Sequence, residues 1–283
     1  LRLGDGLADV AFLAMDLEHL GRPDLAHRFL DAYREHRDDV WPASLAHHHI
    51  AYRAQVRAKV TAIRSGQQGD AAALADGRRL LQLTSSHLES ARVRLVLVGG
   101  LPGTGKSTVA EAIGRALEAP VLHSDHIRKE LAGLSIDQHA SASFGEGIYG
   151  EGIYTAAHTT LTYATMLERA AVGLEMGETL VLDATWSAPQ WRDRARKAAT
   201  SCHADLIELR CHAPRRVADQ RIIDRALAGR GASDATPEIA AAMAAEERAW
   251  PEAAVIDTVQ PIEQSIADAV GRVAQLPSLL PFV

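Results

Sequence analysis

The sequence has few cysteines, few aromatic residues and no long apolar run. Its 283 residues contain 2 cysteines and 5% aromatic residues. Two cysteines build no disulfide framework, so we expect free thiols in a reducing compartment. No segment reaches the roughly 18 consecutive apolar residues of a transmembrane helix, and the first residues lack the basic-then-apolar pattern of a secretion signal. These absences predict a cytoplasmic protein with no membrane partner.

The charge balance also restricts the partners. The formal net charge is −6, and few aromatic rings are present on which bases could stack. A broad nucleic-acid surface is therefore disfavoured, although a local basic groove stays open. The hydrophobic content of 47% is typical of a globular protein, and 283 residues suit two ordinary domains. The sequence indicates no oligomeric state.

Residues 1–90 are predicted to form an all-α helical module. Apolar residues recur at helical spacing in four segments, with turn residues between them. The four stripes are Val10, Leu13, Leu17 and Leu20; Leu25, Phe29 and Tyr33; Leu45, Tyr52, Val56, Val60 and Ile63; and Leu74, Leu81 and Leu88. In the third helix, His47, His48 and His49 are consecutive and would point about 100° apart. This arrangement favours a solvated face over a metal site.

Residues 91–283 change to a pattern of strands alternating with helices. The predicted strands cover 93–98, 120–123, 179–182, 204–211 and 254–258. Alternation of this kind predicts an α/β domain with a five-stranded parallel sheet covered by helices on both faces. Ligands of such sheets bind beyond the carboxyl ends of the strands. Candidate site residues should therefore follow the strands.

The first strand leads into a complete Gly-x4-Gly-Lys-Ser motif that opens a helix. Its glycines allow the backbone amides to approach phosphate oxygens, and the helix adds its positive N-terminal end. Lys106 would reach the β- and γ-phosphates of ATP, and Ser107 would complete a Mg²⁺ shell. A glycine-rich turn that binds nothing is the alternative. The predicted nucleotide contacts are Gly100, Pro102, Gly103, Thr104, Gly105, Lys106, Ser107 and Thr108.

Two aspartates follow the next strands. Asp125, at the end of the second strand, is placed to accept a hydroxyl proton from a phosphate acceptor, and capping a short helix is its alternative role. Arg128, one turn later, would face the same side and hold the acceptor or its phosphate. Asp183 follows the third strand and would hold Mg²⁺ or its waters together with Ser107; the alternative is a turn cap.

Two further segments are candidates for contact with the substrates. Arg221 and Arg225 lie four residues apart on a predicted helix, and Arg230 follows in a glycine-flanked stretch. They suggest a lid that brings guanidinium groups to the transferring phosphate, with a solvated charged helix as the alternative. The pentapeptide Gly-Glu-Gly-Ile-Tyr occurs twice between Gly145 and Tyr154. It is either a substrate-side loop or a slipped duplication.

These motifs together resemble the P-loop kinases related to polynucleotide 5′-hydroxyl kinase, gluconate kinase and zeta toxins. The likeness lies in residues 100–108, 124–128 and 181–185 and in the pair Arg221 and Arg225. The resemblance implies an adenylate-kinase-like core with an Arg-rich lid, Asp125 as general base, Arg128 on the acceptor or phosphate, and lid arginines on ATP. More narrowly, the chain resembles a bacterial kinase domain that carries the name AAA family ATPase.

Residues 1–90 are similar to the tail of an aminoglycoside-phosphotransferase-like domain. The likeness lies in residues 7–18 and 52–60, and that family's catalytic and metal-binding segments are missing here. The resemblance therefore implies no second kinase site, and the helices would serve as a scaffold or a substrate-side wall. We expect an ATP- and Mg²⁺-dependent kinase acting on a hydroxyl of a small metabolite, sugar or aminoglycoside-like acceptor. The alternatives are a polynucleotide 5′-hydroxyl kinase, an ATP-hydrolysing switch without an acceptor, and a binding or toxin-like module with a remnant site.

Overall fold

The computed structural model describes residues 5–38, 40–135, 152–228 and 235–274. The chain divides into two compact units. The first ends at Val93 and also takes in Met176–Glu178, and the second begins at Arg94. Arg230 and the part of the duplicated pentapeptide before Gly152 lie outside the described residues.

The first unit is built from four helices. They are α1 (Gly6–His19), α2 (Pro23–Arg37), α3 (Ala43–Gln68) and α4 (Ala71–Ser90). The Asp5 carboxylate caps α1 by accepting from the Leu7 amide, and the Asp70 carboxylate caps α4 in the same way. The core contains several small side chains between larger ones: Ala11, Ala14, Met15, Ala26, Ile50, Ala54, Ala58 and Leu80. Small residues at the contacts let the helices approach closely.

The apolar stripes predicted for α3 and α4 do not form this core. Their members, among them Tyr52, Val56 and Leu81, are exposed in the structure. The buried face of α3 instead carries Ile50 and Ala54, which lie on the other side of the helix. Periodicity identified the helices correctly but not the face that each helix buries.

The histidine triplet is only partly solvated. His47 and His87 are joined by a hydrogen bond of 2.8 Å between their Nδ1 atoms, and His87 Nε2 lies 2.7 Å from Glu18. His48 is exposed, while His49 Nε2 lies 3.3 Å from the Asp5 carboxylate. His47 thus points to α4, whereas the His48 and His49 rings lie edge to face, with their centroids 5.8 Å apart. No group of three or more potential ligands within the described residues could hold a metal ion.

The second unit is organised around a five-stranded sheet in which each described strand pair is parallel. Its strands are β1 (Arg94–Gly99), β2 (Val121–His123), β3 (Leu180–Asp183), β4 (Asp205–His212) and β5 (Ala254–Asp257). Their order across the sheet is β2-β3-β1-β4-β5. Each predicted strand is present, with ends shifted by at most one residue. Since β1 and β3 are buried along their whole length, the sheet is covered on both faces.

Helices connect these strands. They are α5 (Lys106–Leu117), α6 (Ser124–Leu131), α7 (Ala156–Glu175), α8 (Pro189–Ser201), α9 (Arg215–Leu227), α10 (Pro237–Glu246) and α11 (Ile262–Ala274), with a 3₁₀ turn at Gly152–Tyr154. Valine and isoleucine of the strands pack with Val109 and Ile113 of α5 in one core. This packing fixes the carboxyl ends of β1, β2 and β3 at one edge. No helix in the described part of the chain has the length and hydrophobicity to cross a bilayer.

Candidate active site

The loop between β1 and α5 has the backbone shape of a phosphate cradle. Gly100, Gly103 and Gly105 adopt φ angles of +141°, +79° and +81°, which side-chain-bearing residues rarely adopt. A Cβ at Gly103 would lie 2.3 Å from the Ala218 carbonyl oxygen, so glycine is also required by space. Thr104 is buried and donates to the Leu101 carbonyl at 2.7 Å, which closes the loop on itself. The loop is thus shaped before any ligand binds.

Arg221 and Thr258 fasten this loop from the β4–β5 side. The Thr258 hydroxyl donates to the Thr104 carbonyl at 2.7 Å, and the Arg221 guanidinium donates to the Thr258 carbonyl at 2.7 Å. Arg221 also lies 3.5 Å from the Gly103 carbonyl oxygen. Arg221 therefore lies beside the phosphate loop, and its role as a lid residue stays a prediction. Thr258 was not foreseen, because a lone threonine after a strand gives no sequence signal.

Asp183 ends β3 beside the phosphate loop and is almost completely buried. Its Oδ2 lies 2.7 Å from His123 Nδ1, while Oδ1 has no hydrogen-bond partner among the described residues. Burial alone would raise the pKa of Asp183, but the His123 hydrogen bond, the Lys106 charge and the Ser107 hydroxyl lower it below its ordinary value. Asp183 is therefore a buried anion whose Oδ1 is engaged by none of the described residues.

His123 is a site residue that the sequence analysis did not single out. Its ring bridges two carboxylates, with Nδ1 at Asp183 and Nε2 at 2.8 Å from Glu111 Oε1. Ionised carboxylates only accept hydrogen bonds, so both ring nitrogens of His123 donate. The ring is then protonated on both nitrogens and positively charged. Burial would lower the pKa of His123, but the two carboxylates raise it. The position of His123 at the end of a predicted strand, two residues before Asp125, was the available signal.

Asp125 lies in the first turn of α6, at the carboxyl edge of β2. The helix begins at Ser124 with His123 at the cap position, so Asp125 does not cap it. Its carboxylate is partly exposed and forms no hydrogen bond or ion pair with the described residues. Burial, followed by the neighbouring charge of His123, lowers the pKa of His126, the next residue along the helix. Asp125 thus lies at the edge where ligands of this fold bind, with carboxylate oxygens that no described residue engages.

Arg128 is buried one turn further along α6. Its guanidinium donates to the Ile153 carbonyl at 2.9 Å and to the Thr159 hydroxyl at 3.2 Å. It also lies 5.0 Å from the centre of the Tyr154 ring, in cation–π range. His158 Nε2 lies 3.1 Å from the Arg128 carbonyl. In the described structure, Arg128 therefore ties α6 to the start of α7.

The segment after β3 is held by Tyr163 from α7. The Tyr163 hydroxyl accepts from the Trp186 amide at 3.1 Å and lies 3.1 Å from the Thr185 hydroxyl. Trp186 is buried with a φ of +53°, which is uncommon for a residue other than glycine. The Thr185 carbonyl in turn accepts from the Gly100 amide at 3.3 Å. The β3 loop thus links α7 to the first glycine of the phosphate loop.

Arg225, the other predicted arginine of α9, has one guanidinium nitrogen that no described residue engages. Arg225 lies one turn after Arg221, and its Nη2 is buried without a hydrogen-bond partner among the described residues. Such a donor is costly to leave unpaired, so it is a candidate ligand-binding group. With Arg230 outside the described residues, Arg221 and Arg225 are the two predicted lid arginines that the structure locates.

A cleft of about 240 Å³ opens beside the start of the phosphate loop. Leu101 and Pro102 lie at one side, and small side chains of α9 and α10, such as Ala218 and Ala240, line much of the cleft. Charged side chains also line it: Arg210, Arg215, Asp219 and Glu247. The volume is below the roughly 300–1,000 Å³ of pockets that enclose a drug-sized ligand. The cleft is therefore large enough for part of a small molecule next to the phosphate loop.

Comparison with known proteins identifies the domain around this site. The family model described as an AAA domain matches residues 95–248, more than half of the chain. The chain is also 43% identical over 269 residues to the uncharacterized protein Rv2004c of Mycobacterium tuberculosis and to the uncharacterized protein Mb2027c of Mycobacterium bovis. These matches cover 95% of this chain and 52% of each relative. The chain thus spans about half the length of the curated relatives it matches.

Solved structures show the same fold. A putative kinase from Chloroflexus aurantiacus aligns with a TM-score of 0.50 at 21% identity, covering 65% of this chain and 97% of that one. A sugar kinase from Janibacter aligns with a TM-score of 0.50 at 19% identity, covering 67% of this chain and 99% of that one. The second unit therefore has the P-loop kinase fold that its motifs predicted. The resemblance of residues 1–90 to an aminoglycoside-phosphotransferase tail stays a prediction.

Proposed function

Because this chain belongs to the AAA-domain family through residues 95–248, we propose that it is an ATP-dependent kinase. It would transfer the γ-phosphoryl group of ATP to a hydroxyl of a small-molecule acceptor. The observation that carries the proposal is the glycine cradle with the buried carboxylate of Asp183 at its edge. A phosphate loop alone would equally suit a switch. The free carboxylate of Asp125 at the same edge is what favours a kinase with an acceptor.

The residues of the cradle have separate tasks. The loop amides and Lys106 would bind the β- and γ-phosphates and offset the charge that spreads over the transferring group. Arg221 would keep the loop in shape through Thr258 and the Gly103 carbonyl. Arg225, with its unpartnered buried Nη2, would donate to a phosphate oxygen when the α9 segment closes, and Arg230 would assist.

The residues around Asp183 fit a magnesium ion. Mg²⁺ prefers oxygen ligands, and the Oδ1 of Asp183 is a buried carboxylate oxygen without a hydrogen-bond partner in the described structure. Ser107 and Asp183 would hold the ion, which when bound would neutralise phosphate charge and orient the β- and γ-phosphates. His123, held by Glu111, would keep the Asp183 side chain oriented through its other oxygen.

The acceptor would bind on the β2–β3 side of the loop. Asp125 would accept the proton of the attacking hydroxyl, and its partly exposed position allows a ligand to reach it. Arg128 is engaged with Ile153 and Thr159, so it would order the acceptor-side wall and present its remaining N–H groups there. We favour a small hydroxylated metabolite or sugar over a 5′-hydroxyl nucleic acid, because the net charge is −6.

The test measures transfer of labelled γ-phosphate from Mg-ATP. One acceptor pool holds small polyols, sugars and aminoglycosides, and the other holds 5′-hydroxyl oligonucleotides. We expect label in the small-molecule pool, reduced by about 10²–10⁴-fold in Asp125→Asn, the usual contribution of a general base. Nucleotide affinity should be unchanged. Glu130→Gln is the matched control, because Glu130 lies on the same helix with its exposed carboxylate paired to Arg169.

Each other outcome selects an alternative. Label in the oligonucleotide pool, lost in Asp125→Asn, identifies a polynucleotide kinase. Release of free phosphate with both pools unlabelled, and with Asp125→Asn as active as wild type, refutes the acceptor kinase and leaves an ATP-hydrolysing switch. Absence of any ATP turnover leaves a binding module.

A further inference from the structure

Two helices of the first unit present apolar stripes to solvent. The α3 stripe consists of Leu45, Tyr52, Val56, Val60 and Ile63, and the α4 stripe consists of Leu74, Leu81 and Leu88. The exposed fractions are 36%, 53%, 41%, 60% and 53% along α3 and 47%, 54% and 50% along α4. Single exposed apolar residues are common, but rows of large side chains on two packed helices are not.

The stripes lie away from the core of the unit. On α3 the core is contacted by Ile50, Ala54 and Ala58, and on α4 by Leu80, all of which are fully or almost fully buried. The members of the α4 stripe are seven residues apart, so they line one side of the helix. Such a row is the surface against which another helix packs its own apolar side chains. The shape therefore suits a helical partner.

We infer that the stripes are the docking surface for a further part of the same polypeptide in the longer proteins of this family. The chain is 43% identical to relatives of which it covers 52%, so these proteins contain about as much chain again. Two parts of one chain meet at an effective concentration in roughly the millimolar range, far above that of a free partner. Apolar faces of helices in that additional part would cover the two stripes. This inference is independent of the proposed kinase activity.

The test compares thiol accessibility in two full chains. Leu81→Cys places a thiol in the α4 stripe, and Gln82→Cys places one on an exposed position that points about 100° away. Both variants are made in this chain and at the aligned positions of full-length Rv2004c, with other reactive cysteines replaced by serine. The rate of maleimide labelling is measured at several protein concentrations.

We expect equal labelling of the two positions in this chain. In full-length Rv2004c the cysteine at the stripe position should react about 100-fold more slowly than the cysteine at the control position. The reason is that maleimide can reach the stripe only when the interface opens locally. Equal rates in full-length Rv2004c refute the inference. Protection of Leu81→Cys in this chain that grows with its concentration also refutes it, because a second copy then covers the stripe.

Discussion

Removing the single hydroxyl of Tyr163 tests how the loop after β3 is held. Tyr163→Phe keeps the ring stacked on Trp191, with a centroid distance of 5.0 Å and an interplanar angle of 14°. It removes the acceptor of the Trp186 amide and the bond to the Thr185 hydroxyl. Trp186 then has a buried, unpaired amide next to a left-handed backbone angle, while its indole Nε1 still donates to the Leu182 carbonyl.

The expected cost follows from these two bonds. An unsatisfied buried donor costs about 1–3 kcal/mol, and a lost hydrogen bond about 0.5–1.5 kcal/mol. We therefore expect the free energy of unfolding of the second unit to fall by about 2–4 kcal/mol. At roughly 2–4 °C per kcal/mol for a unit of this size, Tm should fall by about 4–16 °C. Nucleotide affinity should fall as well, because the Thr185 carbonyl accepts from the Gly100 amide.

Urea unfolding followed by circular dichroism measures the first effect, and calorimetric titration with an ATP analogue measures the second. Tyr52→Phe is the matched control, because the Tyr52 side chain is exposed. Thr185→Val removes one of the same bonds, so the double variant should lose about 1 kcal/mol less than the sum of the single variants. A loss below about 0.5 kcal/mol in Tyr163→Phe, or full additivity, would refute this account.

Two further predictions concern the phosphate loop and the thiols. Gly103→Ala and Gly105→Ala should share roughly 1–2 kcal/mol of backbone strain, and Gly103→Ala should destabilise the protein further, because only at Gly103 does a Cβ meet the Ala218 backbone. Urea titration measures the free energy of unfolding of both variants. Equal losses of this free energy would contradict the clash at Gly103. Burial raises the pKa of the Cys211 thiol to about 12. Ellman's reagent should therefore titrate only Cys202 in the native protein and both thiols in denaturant. Rapid reaction of Cys211 in the native protein would contradict this prediction.

Most of the fold could be predicted because its signals are local. Buried parallel strands are short apolar runs, and each run in residues 91–283 gave a strand within two residues of the observed ends. Turn residues and caps such as Asp70 mark the helix limits. The faces of α3 and α4 could not be predicted, because periodicity shows that a stripe exists and not what covers it. In the first unit the core consists largely of alanines, with Met15, Ile50 and Leu80 between them.

The candidate site was predictable where a contiguous motif determines the backbone conformation. The glycines of the phosphate loop, Lys106 and Ser107 follow from one contiguous pattern, and Asp183 follows from its place at a strand end. His123, Glu111 and Tyr163 act through hydrogen bonds between segments far apart in sequence. Nothing in the local pattern of α5 or α7 marks such residues.

The sequence by itself determined the phosphate loop, the succession of strands and helices along the chain and the edge at which the candidate site residues gather. It could do so because steric limits on the backbone and apolar periodicity act over a few neighbouring residues. Only the tertiary structure decided which groups are free to bind. It engaged Arg128 with the Ile153 carbonyl, bridged His123 between Asp183 and Glu111, and left Asp125 without a partner among the described residues. These outcomes depend on distances between atoms of separate elements, which packing alone sets.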